Sequence, residues 1–392
     1  MNVYDKSVAL HQKYKGKMKM SAKFECNTYE DLALAYSPGV ARPCQLIQAD
    51  ESQSYELTNR GNTIAVISDG SAVLGLGNIG PKAALPVMEG KSMLFKKFAG
   101  IDAFPLCLNT QNVEEIIRIC KSLEPCLGGI NLEDISAPRC VEIEQRLIDE
   151  MNIPVFHDDQ HGTAIVVLAA MINVTRLLDK KAADFKIVVS GTGAAGSSII
   201  KLLYNYGFKH INAFDIHGCL VREDKDKYDF LKQELLDYVN PTNYRFRSLS
   251  EAMVGADVFI GVSAKGIVSK AMVESMCDKP IIFALANPEP EITYDDAIGA
   301  GAYIVGTGRS DYPNQINNIL AFPGLFKGAL SARARKITEQ EKVAASEALA
   351  YLISNDQLNN TYIIPSAFDS KVVDTVSKAV EQSCIKREGL KQ

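Results

Sequence analysis

Residues 186 to 215 constrain this chain more than any others. Lys186 to Ser190 (KIVVS) reads as a strand, Gly191-Thr192-Gly193-Ala194-Ala195-Gly196 as a tight glycine turn, and the apolar run after it as a helix to Tyr206. His210 to Asp215 (HINAFD) then reads as a second strand that closes on an acid. Strand, G-x-G-x-x-G, helix, strand and terminal acid in that order form the dinucleotide-binding fingerprint. Its glycines permit the turn and the close approach of a pyrophosphate, whose charge meets the helix N-terminus. Asp215 stands where the fingerprint places an acceptor for a ribose 2′-hydroxyl, which suggests NAD. His217, Arg222, Lys225 and Lys227 follow it, and a basic loop there could accept a 2′-phosphate, so NAD versus NADP stays open.

A second match, Gly75-Leu-Gly77-Asn-Ile-Gly80, lacks that context. Asp69 and Ser71 separate it from the preceding strand, Pro81 follows it, and no acid-closed second strand comes after. It predicts close backbone packing near a ligand.

The rest of the chain alternates in the same manner. Strands are expected at 63–68, 102–108, 129–134 and 155–158, with helices at 87–99, 113–123 and 137–151 between them. Further strands are expected at 257–262, 280–286 and 302–305. Alternation of this kind makes an α/β fold with largely parallel sheets, and 392 residues exceed what one core usually holds. Two domains are therefore expected. Residues 1–160 form an N-terminal α/β domain, and residues 161–392 a Rossmann-type dinucleotide domain whose helices from about 320 can pack back on the first. An apolar helix from Thr163 to Leu178 bridges the two, and a turn is expected at Phe322-Pro-Gly324.

The formal charge of −5 and a pI of about 5.7 argue against nucleic acid as a partner. Nine scattered cysteines without metal-type spacing read as reduced thiols. No run of signal-peptide or membrane-spanning length is evident, so a soluble, cytoplasmic protein is expected.

Two acidic pairs, Glu133-Asp134 and Asp158-Asp159, each close a short apolar run. Ligands of parallel α/β sheets sit at strand ends, so these carboxylates are expected to converge on one site. Mg²⁺ or Mn²⁺ favours such hard oxygen donors. Neighbouring strand residues point to opposite faces, so Glu133 and Asp134 can share an ion only where the strand has already ended.

Taken together the motifs resemble those of malic enzymes of the short bacterial type. The carriers are LAYSPGVA (34–41), SDGSAVLGLGNIG (68–80), GKSMLFKKFAGIDAFP (90–105), NLEDI (131–135), FHDDQHGTA (156–164), GTGAAG (191–196), ANPEPE (286–291) and QINNILAFPG (315–324). The resemblance implies oxidative decarboxylation of L-malate to pyruvate and CO₂, reducing NAD or NADP with a divalent metal. By motif match, Lys91 is the base for the C2 hydroxyl and Tyr36 the acid that protonates the enolate. Asp158 orients Lys91, and Glu133, Asp134 and Asp159 are the Mg²⁺ or Mn²⁺ ligands. Asn287 and Asn318 hold malate together with Tyr36 and Lys91. Thr163, the turn from Gly191 to Gly196, Asp215 and Asn287 contact the coenzyme. The family also implies a homodimer, in which short forms can complete a site across the interface.

One departure stands out. Larger eukaryotic relatives place a carboxylate-binding arginine after the first Asp-Gly, where this chain has Ser71-Ala72. The same frame could serve a metal-independent amino-acid or folate dehydrogenase, or a non-catalytic NAD-binding regulator. The paired carboxylates argue against the first, and the presence of Lys91, Tyr36 and the metal acids argues against the second.

Overall fold

The computed structural model describes residues 2–73 and 75–389. The chain enters through three helices, α1 (Val3–Tyr14), α2 (Tyr29–Ala35) and α3 (Ala41–Ala49), none of which buries a residue. The start of α2 is held by a reciprocal capping box. Thr28 Oγ1 accepts from the Asp31 amide at 3.1 Å, and Asp31 accepts from the Thr28 amide at 2.9 Å. These helices are locally well formed yet contribute nothing to the core of their own chain.

The first sheet is wholly parallel. Strand β1 (Thr63–Ser68) is buried throughout, as its unbroken apolar run requires of a strand covered on both faces. Helix α4 (Pro81–Leu94) leads to β2 (Asp102–Cys107), α5 (Val113–Leu123) to β3 (Gly129–Leu132), and α6 (Arg139–Glu150) to β4 (Val155–His157). The strand order is β2-β1-β3-β4. Helix α4 begins six residues before the expected 87. Pro81 at its first position suits a helix start, and the helix absorbs the hydrogen bond lost at the internal Pro86. The turn after it, Phe95–Ala99, widens to a π-helix.

Helix α7 starts at Asp158, not at Thr163, and runs 21 residues to Leu178. Asp158 and Asp159 therefore open a helix instead of closing a strand, which suits carboxylates near the positive end of a helix dipole. Gly162 permits this start, because a Cβ there would meet Asp158 Oδ1 at 2.0 Å. With its full length restored, α7 is long and apolar enough to cross a membrane, contrary to the expectation that no segment is. Here Ala164 to Val174 is buried, in one cluster with side chains of both sheets. It is the shared core helix of the molecule.

The second sheet carries β5 (Lys186–Ser190), β6 (His210–Asp215), a short antiparallel β7 (Gly218–Cys219), β8 (Val258–Gly261), β9 (Ile281–Ala284) and β10 (Ile304–Thr307). Helix α8 (Ala194–Tyr206) joins β5 to β6. Its order, β10-β9-β8-β5-β6-β7, is the doubly wound dinucleotide arrangement, with the switch point between β5 and β8. Phe322-Pro-Gly324 does not form a turn. Proline is tolerated in a first helical turn, and these residues open α9 (Phe322–Ser331). Two further helices follow, α10 (Glu339–Ala350) and α11 (Lys371–Glu388). Helix α9 returns to the first sheet, where Phe322 and Phe326 pack on Phe95 at 4.7 and 5.3 Å between centroids, and Phe326 meets Phe156 at 5.9 Å.

Candidate active site

The C-terminal ends of both sheets face a single cleft of about 580 Å³. Ala72 after β1, Asp134 after β3 and Asp159 after β4 line it from the first sheet. Ala194 after β5, Val262 after β8 and Asn287 after β9 line it from the second. Strand ends at a switch point are where an open α/β fold binds its ligands.

Lys91 occupies the last turn of α4 and is buried among carboxylates. Its Nζ lies 2.5 Å from Asp158 Oδ2 and 2.8 Å from Glu133 Oε1, and 4.1 Å from the centre of the Phe322 ring. Asn318 Nδ2 donates to the same Asp158 oxygen at 2.5 Å. Glu133 Oε2 accepts from Asn131 at 2.8 Å. Strand β3 ends at Leu132 and Asp134 adopts a left-handed φ of 55°, so the chain has turned before the acidic pair can be split by the pleat. Asp134 presents its amide to Asp159 Oδ2 at 2.7 Å.

Burial alone would push Lys91 toward its neutral form, but Asp158, Glu133 and Asp159 outweigh it and hold the ammonium well above its ordinary value. The acids bear the opposite strain. Burial raises Glu133 and Asp158 to about 7 and Asp159 to about 6, against the pull of Lys91. One cation thus faces three reluctant carboxylates, with Asp134 beside them.

Hard oxygen donors with unbalanced negative charge are what a small divalent cation requires, so the residue set fits such an ion chemically. Among the described residues, no three His, Cys, Asp or Glu side chains are already gathered at ion-binding separation. Glu133 pairs with Lys91 through Oε1.

On the facing wall, the turn from Gly191 to Gly196 leads into α8. Gly191 has φ 102°, and a Cβ on Gly196 would lie 1.9 Å from the Gly191 carbonyl oxygen. Only glycine permits this turn to close so tightly. Glu291, fully buried, accepts from the Ser263 amide at 2.8 Å and the Ala286 amide at 3.1 Å. It ties together two of the loops that border the cleft.

Comparison with known proteins agrees with this arrangement. The malic enzyme N-terminal domain matches residues 14–148, and the malic enzyme NAD binding domain residues 160–387. The chain belongs to the malic enzyme family. It is 52% identical to a bifunctional malic/malolactic enzyme of Bacillus subtilis over 98% of this chain and 94% of that one. It is 53% identical to an NAD-dependent malic enzyme of Geobacillus stearothermophilus, covering 98% and 79% of the two chains. The solved NAD-dependent malic enzyme of Thermotoga maritima superposes with a TM-score of 0.92 at 50% identity, over 96% of this chain and 98% of that one.

Within this malic enzyme fold most of the expected site residues lie at the cleft or behind it, Gly191, Thr192, Gly193 and Gly196 forming the rest of the turn that carries Ala194 and Ala195. Asp134, Asp159, Thr163, Ala194, Ala195, Asn287 and Asn318 line the cleft, and Lys91, Glu133 and Asp158 form the buried cluster behind Asn318. Two others stand elsewhere. Tyr36, at the end of α2, is 69% exposed and does not line the cleft of its own chain. Asp215 ends β6 outside the cleft lining, with Oδ1 accepting from the His217 amide at 2.7 Å and Oδ2 2.9 Å from Lys232 Nζ. In the basic loop beyond it, Arg222 donates to the Asn240 and Leu236 carbonyls, and Lys227 pairs with Asp224. Lys232, not singled out from sequence, is the cation at Asp215.

Three more residues escaped sequence reasoning. Arg139 Nη2 bridges Asp69, Ser71 and Ser136 at 2.9, 2.9 and 3.0 Å, which brings a guanidinium to the position after Asp-Gly from a different segment. Glu291 closes the ANPEPE motif without having been assigned a role. Glu144 shares the buried face of α6 with Cys140, Ile143 and Leu147. An acid on an apolar helical stripe is a signal the pattern did carry.

Proposed function

We propose that this protein oxidises and decarboxylates L-malate to pyruvate and CO₂ in the cytoplasm, with NAD or NADP as hydride acceptor and Mg²⁺ or Mn²⁺ as metal. Residues 1–160 supply the acid-base and metal groups, and residues 161–392 the coenzyme. The observation that carries this reading is Lys91, buried within 2.8 Å of both Glu133 and Asp158 directly behind Asn318, which lines the cleft that the glycine turn also borders.

A divalent cation held by Glu133, Asp134 and Asp159 would polarise the C2 oxygen as a Lewis acid. Lys91 takes the C2 hydroxyl proton as hydride leaves C2 for the nicotinamide ring, and it can do so only when neutral. A cation on Glu133 and Asp159 would weaken two of the three acids that keep Lys91 protonated, leaving Asp158, held by Asn318, as its ion-pair partner. The resulting β-keto acid loses CO₂, and the enolate gains a proton at C3 from the Tyr36 phenol. Asn287 and Asn318 offer neutral amide donors to the substrate carboxylates.

The exposure of Tyr36 supports a homodimer in which each phenol serves the partner's cleft. Helices α1 to α3 bury none of their own residues, and Val3 and Tyr4 of α1, Tyr29 and Leu34 of α2, and Met20 and Phe24 between them stand exposed. Large apolar side chains exposed in such number along one segment fit an interaction surface.

Malate-dependent growth of absorbance at 340 nm in the presence of Mn²⁺, abolished by EDTA and restored by excess Mn²⁺, is the expected result. No turnover with either nucleotide would overturn the reading. Coenzyme binding has its own test. Asp215→Ala is expected to raise the KM for NAD by at least about tenfold, since one hydrogen bond to a charged group contributes ~1.5–3 kcal/mol, with kcat nearly unchanged. The KM for NADP is expected to fall, since a 2′-phosphate would then meet Lys232 without the carboxylate. An unchanged NAD KM would remove Asp215 from the ribose site.

A further inference from the structure

Glu144 is an anion in a place where helices carry apolar side chains. It is 5% exposed and lies on the face of α6 that buries Cys140, Ile143 and Leu147. Burying a carboxylate costs several kcal/mol unless hydrogen bonds replace its water, so its partners define what it does. Among the described residues its hydrogen bonds all come from one five-residue segment, while the Lys342 ammonium adds a favourable charge from α10. Oε1 accepts from the His157 amide at 2.7 Å, and Oε2 accepts from Gln160 Nε2 at 3.2 Å and meets His161 Nε2 at 2.8 Å.

Those three residues bracket Asp158 and Asp159. The segment is also where β4 ends and α7 begins without an intervening loop. His157 caps the helix through its own ring, Nδ1 accepting from the Gln160 amide at 3.3 Å. Glu144 thus grips the last strand residue and the first helical turn at once, and the angle between them sets where both aspartates point. Asp158 reaches Lys91 at 2.5 Å, and Asp159 reaches the Asp134 amide at 2.7 Å.

We propose that Glu144 is a positioning residue for the metal and base cluster, clamping the β4–α7 junction so that Asp159 faces the Asp134 turn while Asp158 faces Lys91. The inference rests on Asp159 being a metal ligand. Groups that hold a metal ligand in orientation typically contribute about 10–100-fold to metal affinity, which gives the clamp a measurable effect distinct from general stability.

The experiment compares full-length wild type, Glu144→Gln, Gln160→Ala and Asp159→Asn. It measures the Kd for Mn²⁺ by EPR, the Kd for NADH by fluorescence, and thermal stability. Glutamine keeps an oxygen for the His157 amide but turns an amide N–H toward the Gln160 and His161 donors. Glu144→Gln is expected to raise the Mn²⁺ Kd about tenfold and to leave NADH affinity unchanged. Gln160→Ala, which removes one of the three bonds, is expected to raise the Mn²⁺ Kd by a smaller factor, about threefold, again without effect on NADH. A Mn²⁺ Kd within about twofold of wild type in folded Glu144→Gln, or Mn²⁺ and NADH affinities falling together, would overturn the clamp. Should Glu144→Gln fail to fold, an unchanged Mn²⁺ Kd in Gln160→Ala would overturn it equally. Asp159→Asn separates the two levels of the argument. If it loses Mn²⁺ while Glu144→Gln does not, only the clamp falls; if it binds Mn²⁺ normally, the ligand set is wrong and the clamp falls with it.

Discussion

Replacing Lys91 by alanine is expected to lower kcat for malate oxidation by about 10²–10⁴-fold, the usual contribution of a general base, while NADH affinity stays at the wild-type value. The coenzyme half of the cleft is built by the second sheet, while Lys91 sits on α4 among the acids at the strand ends of the first. The same substitution removes the one cation that faces Glu133 and Asp158. Breaking a buried ion pair by deleting one partner costs about 3–5 kcal/mol, but here the cost depends on pH. Both carboxyls have folded-state values of about 7, above the roughly 4 of an unfolded chain. Their protonation therefore favours the folded state in full below pH ~4, and that contribution is lost as pH rises through 7. In chelator-treated protein the Lys91→Ala loss in Tm is expected to be small near pH 5, where the acids can take protons. It should grow toward pH 8, where two buried carboxylates stand without counter-charge. A kcat near wild type would remove Lys91 from catalysis. A Tm loss independent of pH would show that its packing on Phe322 matters more than its charge.

The parts of this architecture that sequence revealed are those encoded over short distances. KIVVS, the glycine turn and HINAFD each carry their own period and turn chemistry, and β5, α8 and β6 fall at 186–190, 194–206 and 210–215. The boundaries that moved did so where two local rules competed. Pro86 masked the first turn of α4, and Pro323, which resembles a turn residue, instead sits in the opening turn of α9. Asp158 and Asp159 follow an apolar run and so resemble a strand end, yet Gly162 lets the helix begin at once. Glu144 needed the tertiary structure to be understood, because its three partners are 13 to 17 residues away. The charge of Lys91 needed it too. A base lysine is expected to be lowered by burial, and the structure places enough acid beside it to reverse the sign.

Mixing two inactive variants, Lys91→Ala and Tyr36→Phe, is expected to restore about a quarter of wild-type activity, because random reassortment of a two-fold dimer makes half the molecules mixed, each with one intact site. Tyr36 has no support from the core of its own chain. Its helix, α2, is capped by the Thr28–Asp31 box, and neither α2 nor its neighbours α1 and α3 bury a residue. A phenol that must protonate an enolate cannot work from a position 69% exposed to water, where solvent would compete for the same proton transfer. A second copy laid over the exposed apolar residues of 3–40 would bury both them and the phenol, and would bring Tyr36 to a cleft backed by Lys91. In a mixed dimer one cleft then receives both substitutions and the other neither. If Tyr36 instead folded back onto its own chain, each cleft in the mixed dimer would carry one defect and no activity would return. Each variant alone is expected to lose about 10²-fold or more, so recovery stands clear of background. Co-expression with two affinity tags, with isolation of the doubly tagged species and its kcat compared with either parent, decides between the arrangements.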